Sequence, residues 1–191
     1  MILPMANFHK LDEGANVHDL YDALEAEPAL WDQDTLRQTY PGTSHADTQC
    51  IILRGPSVMG SVEAIQDNLV AVDYPALLDL PEAGFLMYNI AARIGTQVLG
   101  RVMLTKLKPG GVITPHIDEG LYAHHYSRFH LPIRSEHGNW FNCGNARVWM
   151  KPGELWWFNH QEEHSVENTS NQPRIHLIVD AITQRQHGQD H

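Results

Sequence analysis

His116, Asp118 and His164 are the residues of this 191-residue chain whose types and spacing could do chemistry. His116-Ile-Asp118 follows the turn Lys108-Pro-Gly-Gly111 in a strand-like run. In an extended chain, residues i and i+2 face the same side, so one strand presents an imidazole beside a carboxylate. His164 comes just after the aromatic run Leu155-Trp-Trp-Phe158. Two histidines and one carboxylate, with the opposite positions open, form the ligand set of non-haem Fe(II) oxygenases. Arg174 lies further on in Pro173-Arg-Ile-His-Leu-Ile-Val-Asp180, where a guanidinium could hold an anion with a two-pronged contact.

The elements that must position these groups follow from periodicity. Val17, Leu20, Tyr21 and Leu24 share one helical stripe, and Asp32 to Arg37 can start a second short helix. Ala83 to Ile94 reads as a mostly buried helix stopped by Gly95. Strand patterns occupy 48–54, 97–107, 111–116, 126–133, 145–150, 154–158, 164–167 and 174–182, and Gly/Pro turns separate several of them. This order, helices first and strands afterwards, predicts a β-sandwich or barrel with helices packed outside. Residues 1–16 carry no periodic pattern and read as an arm. The expected organisation is a helical or mixed part over 1–95, a β core over 96–183 and a polar tail over 184–191.

Within the last third, Asn168 to Pro173 is rich in turn-forming residues. Folded as a hairpin centred near Thr169, it sets His164 opposite Arg174, with Cβ atoms about 5 Å apart. On the strand from Arg174, residues Ile175, Leu177 and Val179 form an apolar face. Arg174, His176 and Ile178 form the other, which is not purely solvated and so points to a barrel interior. Arg128 and His130 likewise share a face, either an outward polar row or a functional pair.

Duller readings compete with each motif. With thirteen histidines, a His-x-Asp arises readily by chance. His124 and His125 fall in a loop-like stretch as bystanders, and His160 imitates a helical His-x-x-x-His site without the His-Glu-x-x-His of zinc peptidases. There is no nucleophile elbow, phosphate-binding loop or dinucleotide fingerprint. The formal net charge of −10 and the lack of a basic stripe disfavour nucleic acid as a partner. No apolar run reaches about 18 residues, so no membrane span is expected. The amino terminus lacks a basic-then-apolar leader, and Cys50 and Cys143 read as reduced thiols; a cytoplasmic location is expected.

Lys108-Pro-Gly-Gly, His116-x-Asp118, Arg128-x-His130-Leu, Gly153-Glu-Leu-Trp-Trp-Phe-Asn, His164-Ser-Val-x-Asn and Arg174, in this order, resemble the aspartyl/asparaginyl β-hydroxylase family over 105–180. The resemblance implies a double-stranded β-helix, a cupin-type jelly-roll, and an Fe(II)- and 2-oxoglutarate-dependent dioxygenase using O2. By position, His116, Asp118 and His164 would bind iron. Arg174 would pair with the distal carboxylate of 2-oxoglutarate, which His130 and Thr105 would help to hold. Arg128 would lie near a co-substrate or substrate carboxylate. Some members lack the carboxylate ligand, whereas this chain has Asp118. The implied substrate is an amino acid, free or within a peptide or protein. The competing reading is a cupin-like module that binds a metal or small acid without turnover.

Overall fold

The computed structural model describes residues 7–57 and 61–184. Among them, a seven-stranded antiparallel sheet has the order β1-β9-β6-β11-β4-β2-β3, and a four-stranded one the order β5-β10-β7-β8. The large sheet holds β1 (Phe8–Asp12), β2 (Thr48–Pro56), β3 (Ala71–Asp73), β4 (Thr96–Leu107), β6 (Ser127–Arg134), β9 (Leu155–Phe158) and β11 (Arg174–Thr183). The small sheet holds β5 (Val112–His116), β7 (Asn139–Cys143), β8 (Ala146–Val148) and β10 (His164–Asn168). The two sheets form a double-stranded β-helix, the fold that the family resemblance implies, and one that meets the sandwich or barrel expected from the turn-punctuated strands.

Among the described residues six α-helices accompany the sheets: α1 (His18–Ala26), α2 (Leu36–Thr39), α3 (Val62–Asp67), α4 (Ala76–Asp79), α5 (Pro81–Ile94) and α6 (Leu121–His125). Pro81 opens α5 at a position that needs no amide hydrogen, and Gly95 closes it in the left-handed region at φ 68°. Ala83, Leu86, Met87 and Ile90 face inward from α5, and Leu20 and Leu24 do so from α1. They pack with Leu53, Leu104, Leu177 and Val179 from the large sheet. Each large side chain so buried contributes roughly 1.5–3 kcal/mol. Solvent screens the exposed Arg93–Asp12 ion pair beside them, so burial holds this layer. A second cluster, with Leu107, Ile113, Phe141, Phe158 and Val166, fills the inside of the β-helix.

β11 is buried on both faces. Ile175, Leu177 and Val179 belong to the outer core, while Arg174 and Ile178 line a recess inside the β-helix. The strand's alternation therefore divides an apolar outward face from a mixed inward one, as anticipated.

The segment after His164 differs from the expected hairpin. β10 pairs with β5 and β7, and β11 pairs with β4 and β6, so the two strands lie in different sheets. The Asn168 side chain explains why. Its Nδ2 donates to the carbonyls of Leu107, Lys108 and Gln172 at 3.2, 3.1 and 2.8 Å. Its backbone exchanges hydrogen bonds with the turn at Gly110 and Gly111. These bonds tie 168–173 to the end of β4 as a corner between sheets.

Three strands escape the pattern reading, the short β3 (Ala71–Asp73) among them. Phe8–Asp12, read as an arm, is the edge strand β1 on β9. Asn139–Cys143 pairs with β8 and β10, with its alternate residues buried. Strands β1, β2 and β3, all before residue 95, extend the same sheet as β4. Most of the tail, residues 185–191, lies outside the described residues.

Candidate metal centre

Register brings the two histidines together. His116, the last residue of β5, lies directly across from His164, the first of β10, with ring centroids 4.3 Å apart. Each ring is oriented by a backbone carbonyl. His116 Nδ1 lies 2.8 Å from the Thr114 oxygen, and His164 Nδ1 lies 2.9 Å from the Glu162 oxygen. A carbonyl only accepts, so each Nδ1 carries a proton, and Nε2 is the ring nitrogen left to face a metal.

Asp118 lies two residues past the end of β5, so strand alternation does not hold it. Its amide donates to the His160 carbonyl at 3.3 Å, and the carboxylate divides its oxygens. Oδ1 lies 3.7 Å from His116 Nε2 and 3.9 Å from His164 Nε2. Oδ2 accepts from Arg128 Nη1 at 2.6 Å. One ligand atom from each of these three residues lies within 4.8 Å of the others, and a single metal ion could meet all three. The donor set fits a divalent transition metal with positions left open.

The electrostatics agree with that use. Burial alone would raise the Asp118 carboxyl, but Arg128, then His164, outweigh it and hold it at about 2. Burial lowers His164 to about 4, so its imidazole is neutral near pH 7, the form a metal requires.

Arg128 lines both the inner recess and the larger cavity, and two protein carboxylates engage its guanidinium. Its Nε and Nη2 donate to Asp180 at 2.8 and 3.0 Å, while Nη1 holds Asp118. Arg128 and Asp180 are direct partners across β6 and β11, which fixes the fork. Burial opposes the charge on this guanidinium, yet the two carboxylates raise its pKa above the ordinary arginine value. Arg128 thus braces the Asp118 carboxylate. Pattern reading missed Asp180, although it continues the inward alternation of Arg174, His176 and Ile178.

Inside the β-helix, Thr105, His130, His164 and Arg174 line one recess, with Phe141, Phe158 and Ile178 among its walls. Arg174 is 3% exposed and donates through Nη2 to His176 Nδ1 at 3.1 Å. His130 Nδ1 also lies against that atom, at 3.2 Å. The Nε2 of His130 is buried without a hydrogen-bond partner among the described residues. Burial first, and Arg174 next, push both histidines well below their ordinary values, so both are neutral. Burial also lowers Arg174, to about 9, with no protein carboxylate opposing the shift. His164 and Arg174 share this recess from opposite sheets rather than across a hairpin.

His160, the imitator in sequence, gives its Nε2 to the Ala123 carbonyl at 2.8 Å and stays outside the cluster. His45, which no motif marked, packs edge-on to His116 at 4.9 Å. Burial, then Arg37 beside it, keep His45 neutral. A larger cavity of about 500 Å³ opens on the other side of His116 and Asp118. Among the described residues, no helix is long and apolar enough to cross a membrane.

Comparison with known proteins agrees with this architecture. A prolyl hydroxylase from Trichoplax adhaerens, solved in complex with a hypoxia inducible factor oxygen degradation domain peptide fragment, matches at a TM-score of 0.58 with 10% identity. The match covers 98% of this chain and 88% of that one. The viral collagen prolyl hydroxylase of Paramecium Bursaria Chlorella virus-1, solved as a 2OG complex, matches at 0.52 with 9% identity, covering 95% and 100%. At such identities the likeness is one of fold. No curated protein matches this chain. The model of the aspartyl/asparaginyl beta-hydroxylase family matches residues 78–184, more than half of the sequence and every residue of the His-Asp-His cluster, and the chain belongs to that family.

Proposed function

We propose that this protein is an Fe(II)- and 2-oxoglutarate-dependent dioxygenase that hydroxylates an amino-acid side chain, free or within a peptide. One observation carries the reading. A cluster of two imidazoles and one carboxylate adjoins a recess whose far wall holds a buried guanidinium without a carboxylate partner among the described residues. In this proposal His116, Asp118 and His164 hold the metal. Arg174 takes the distal carboxylate of 2-oxoglutarate, with Thr105 and His130 beside it.

The residues divide the work by position. Nδ1–H to carbonyl bonds at His116 and His164 fix both ligand faces before anything binds. Arg128 and Asp180 hold Asp118 ionised and aimed, so little is left to reorganise on binding. Arg174 gives the co-substrate its orientation through a charge-assisted fork. Phe141, Phe158 and Ile178 exclude water around it, which strengthens that contact. Iron with 2-oxoglutarate and O2 supplies the oxidising power, releasing succinate and carbon dioxide while an unactivated C–H bond gains a hydroxyl.

The test is spectroscopic and chemical. Anaerobic protein with Fe(II) and 2-oxoglutarate should show a visible charge-transfer band that His164→Ala abolishes. An unchanged spectrum in that variant removes His164 from the metal set. Succinate release across a panel of amino acids and peptides then separates turnover from binding alone.

A further inference from the structure

The cavity of about 500 Å³ beside His116 and Asp118 is lined by four arginines, Arg37, Arg54, Arg101 and Arg128. Two of them have carboxylate partners. Arg128 is held by Asp118 and Asp180, and Arg54 pairs with Asp73 while its other nitrogens donate to backbone carbonyls. Arg101 lies 3.7 Å over the Tyr122 ring and donates to the carbonyls of Ile65 and Asn68. Arg101, like Arg37, keeps a buried Nε without a hydrogen-bond partner, but its Nη2 is satisfied by those two carbonyls. The Arg37 side chain, by contrast, has no backbone or carboxylate acceptor among the described residues. Arg37 comes from α2, and its recorded side-chain contact is Nη2 against the ring nitrogens of His45, at 3.0 and 3.4 Å. Its Nε is buried with no hydrogen-bond partner, and among the described residues no carboxylate reaches ion-pair distance of it.

A guanidinium with idle donors at a cavity wall is costly to keep there unless an anion completes it. Burial, then Arg128, disfavour its charge further. Arg37 faces both this cavity and the inner recess, so its head stands at the passage beside His116. The opposite requirement, an apolar surface for a carbon skeleton, is met by Ile52, Met103 and Ile65 on the same walls.

We propose that the substrate enters this cavity as a small amino-acid carboxylate, with that carboxylate paired to Arg37 and its side chain directed at the metal centre. The proposal rests on the oxygenase reading above. A free amino acid and the C-terminal residue of a peptide offer the same group.

Calorimetric titration of the anaerobic Fe(II)- and 2-oxoglutarate-loaded protein tests this. The probes are the twenty L-amino acids, their carboxamides, and tripeptides with free or amidated C termini. At least one free acid should bind, and its carboxamide should bind about 10- to 150-fold more weakly, the range for losing a hydrogen bond to a charged group. Arg37→Gln should weaken the acid by the same factor, leave 2-oxoglutarate affinity unchanged, and regain part of the loss as Arg37→Lys. Binding of free-acid tripeptides would name the peptide C terminus as the source, and their failure beside a binding amino acid would name the free compound. If Arg37→Gln folds poorly, the acid-against-amide comparison in the wild type still decides. No binding acid, equal binding of acid and amide, or an Arg37→Gln loss confined to 2-oxoglutarate would overturn the assignment. Absence of the charge-transfer band counts against the oxygenase reading separately, because the heat of amino-acid binding is read without it.

Discussion

Replacing Arg174 by methionine separates a residue that holds the fold from one that waits for a ligand. The side chain is 3% exposed, and its protein contacts are weak for a buried cation. They are one hydrogen bond to the neutral His176, at 3.1 Å, and a guanidinium 5.7 Å from the Phe141 ring centre. Burial lowers its pKa from 12.5 to about 9. A base whose pKa falls on folding is disfavoured in its charged form. At pH 7, below both values, the full penalty is present, and it is relieved only as pH rises past about 9. At about 1.4 kcal/mol per pH unit, that penalty is on the order of 5 kcal/mol before structural relaxation. Methionine removes it and forfeits a charged hydrogen bond worth about 1.5–3 kcal/mol. The ligand-free variant should therefore be more stable than the wild type by roughly 2–3.5 kcal/mol, as with other buried charges exchanged for apolar groups. Urea unfolding at pH 7, without metal or keto acid, should show a raised midpoint at constant slope. Adding Fe(II) and 2-oxoglutarate anaerobically at about 100 times Kd should stabilise the wild type by about 2.7 kcal/mol over metal alone, and the variant by nothing. If Arg174→Met loses 2 kcal/mol or more without ligand, or still gains from 2-oxoglutarate, the reasoning is refuted.

Other expectations follow from the same interior. His130 and His176 are held well below 6.5 by burial and Arg174, so the unfolded chain takes up protons that the native one refuses. Stability should accordingly fall as pH drops below 6.5, by roughly 1–1.5 kcal/mol per histidine by pH 5. His176→Leu should reduce the slope of unfolding free energy against pH by about one proton, and an unaltered slope would contradict the burial argument. Asp180→Asn removes half the fork that fixes Arg128, so Asp118 loses its brace. Calorimetric titration should then show metal affinity about 10- to 100-fold weaker, and an unchanged value would make Asp180 a packing group only.

Much of the candidate site was legible from local chemistry. His116 and His164 stand out because their segments are strands bounded by strong turn signals. Arg174 stands out because alternation along β11 assigns it to a face with Ile178 rather than to solvent. Those patterns reflect steric rules that act over a few residues. Helix α5 was equally legible, since Gly95 can close it in a left-handed conformation and its apolar stripe has the helical period. By contrast, β1 carries little apolar signal because it lies at the sheet edge with its middle residues exposed. Arg37 sits on the four-residue helix α2 and His45 in the loop after it, so nothing local marks them as neighbours of His116.

The sequence by itself determined which residue types could bind a metal, where most strands and turns fall, and that the β11 strand has two unlike faces. Only the tertiary structure decided what those groups meet. Asn168 sends its hydrogen bonds to the Leu107–Gly111 turn, so a segment that reads as a hairpin becomes a corner between sheets. Cross-strand register pairs Arg128 with Asp180, and that pairing sets the guanidinium to brace Asp118 as well. Each choice is among partners far apart in sequence, and packing and register, rather than local propensity, set the free energy that selects between them.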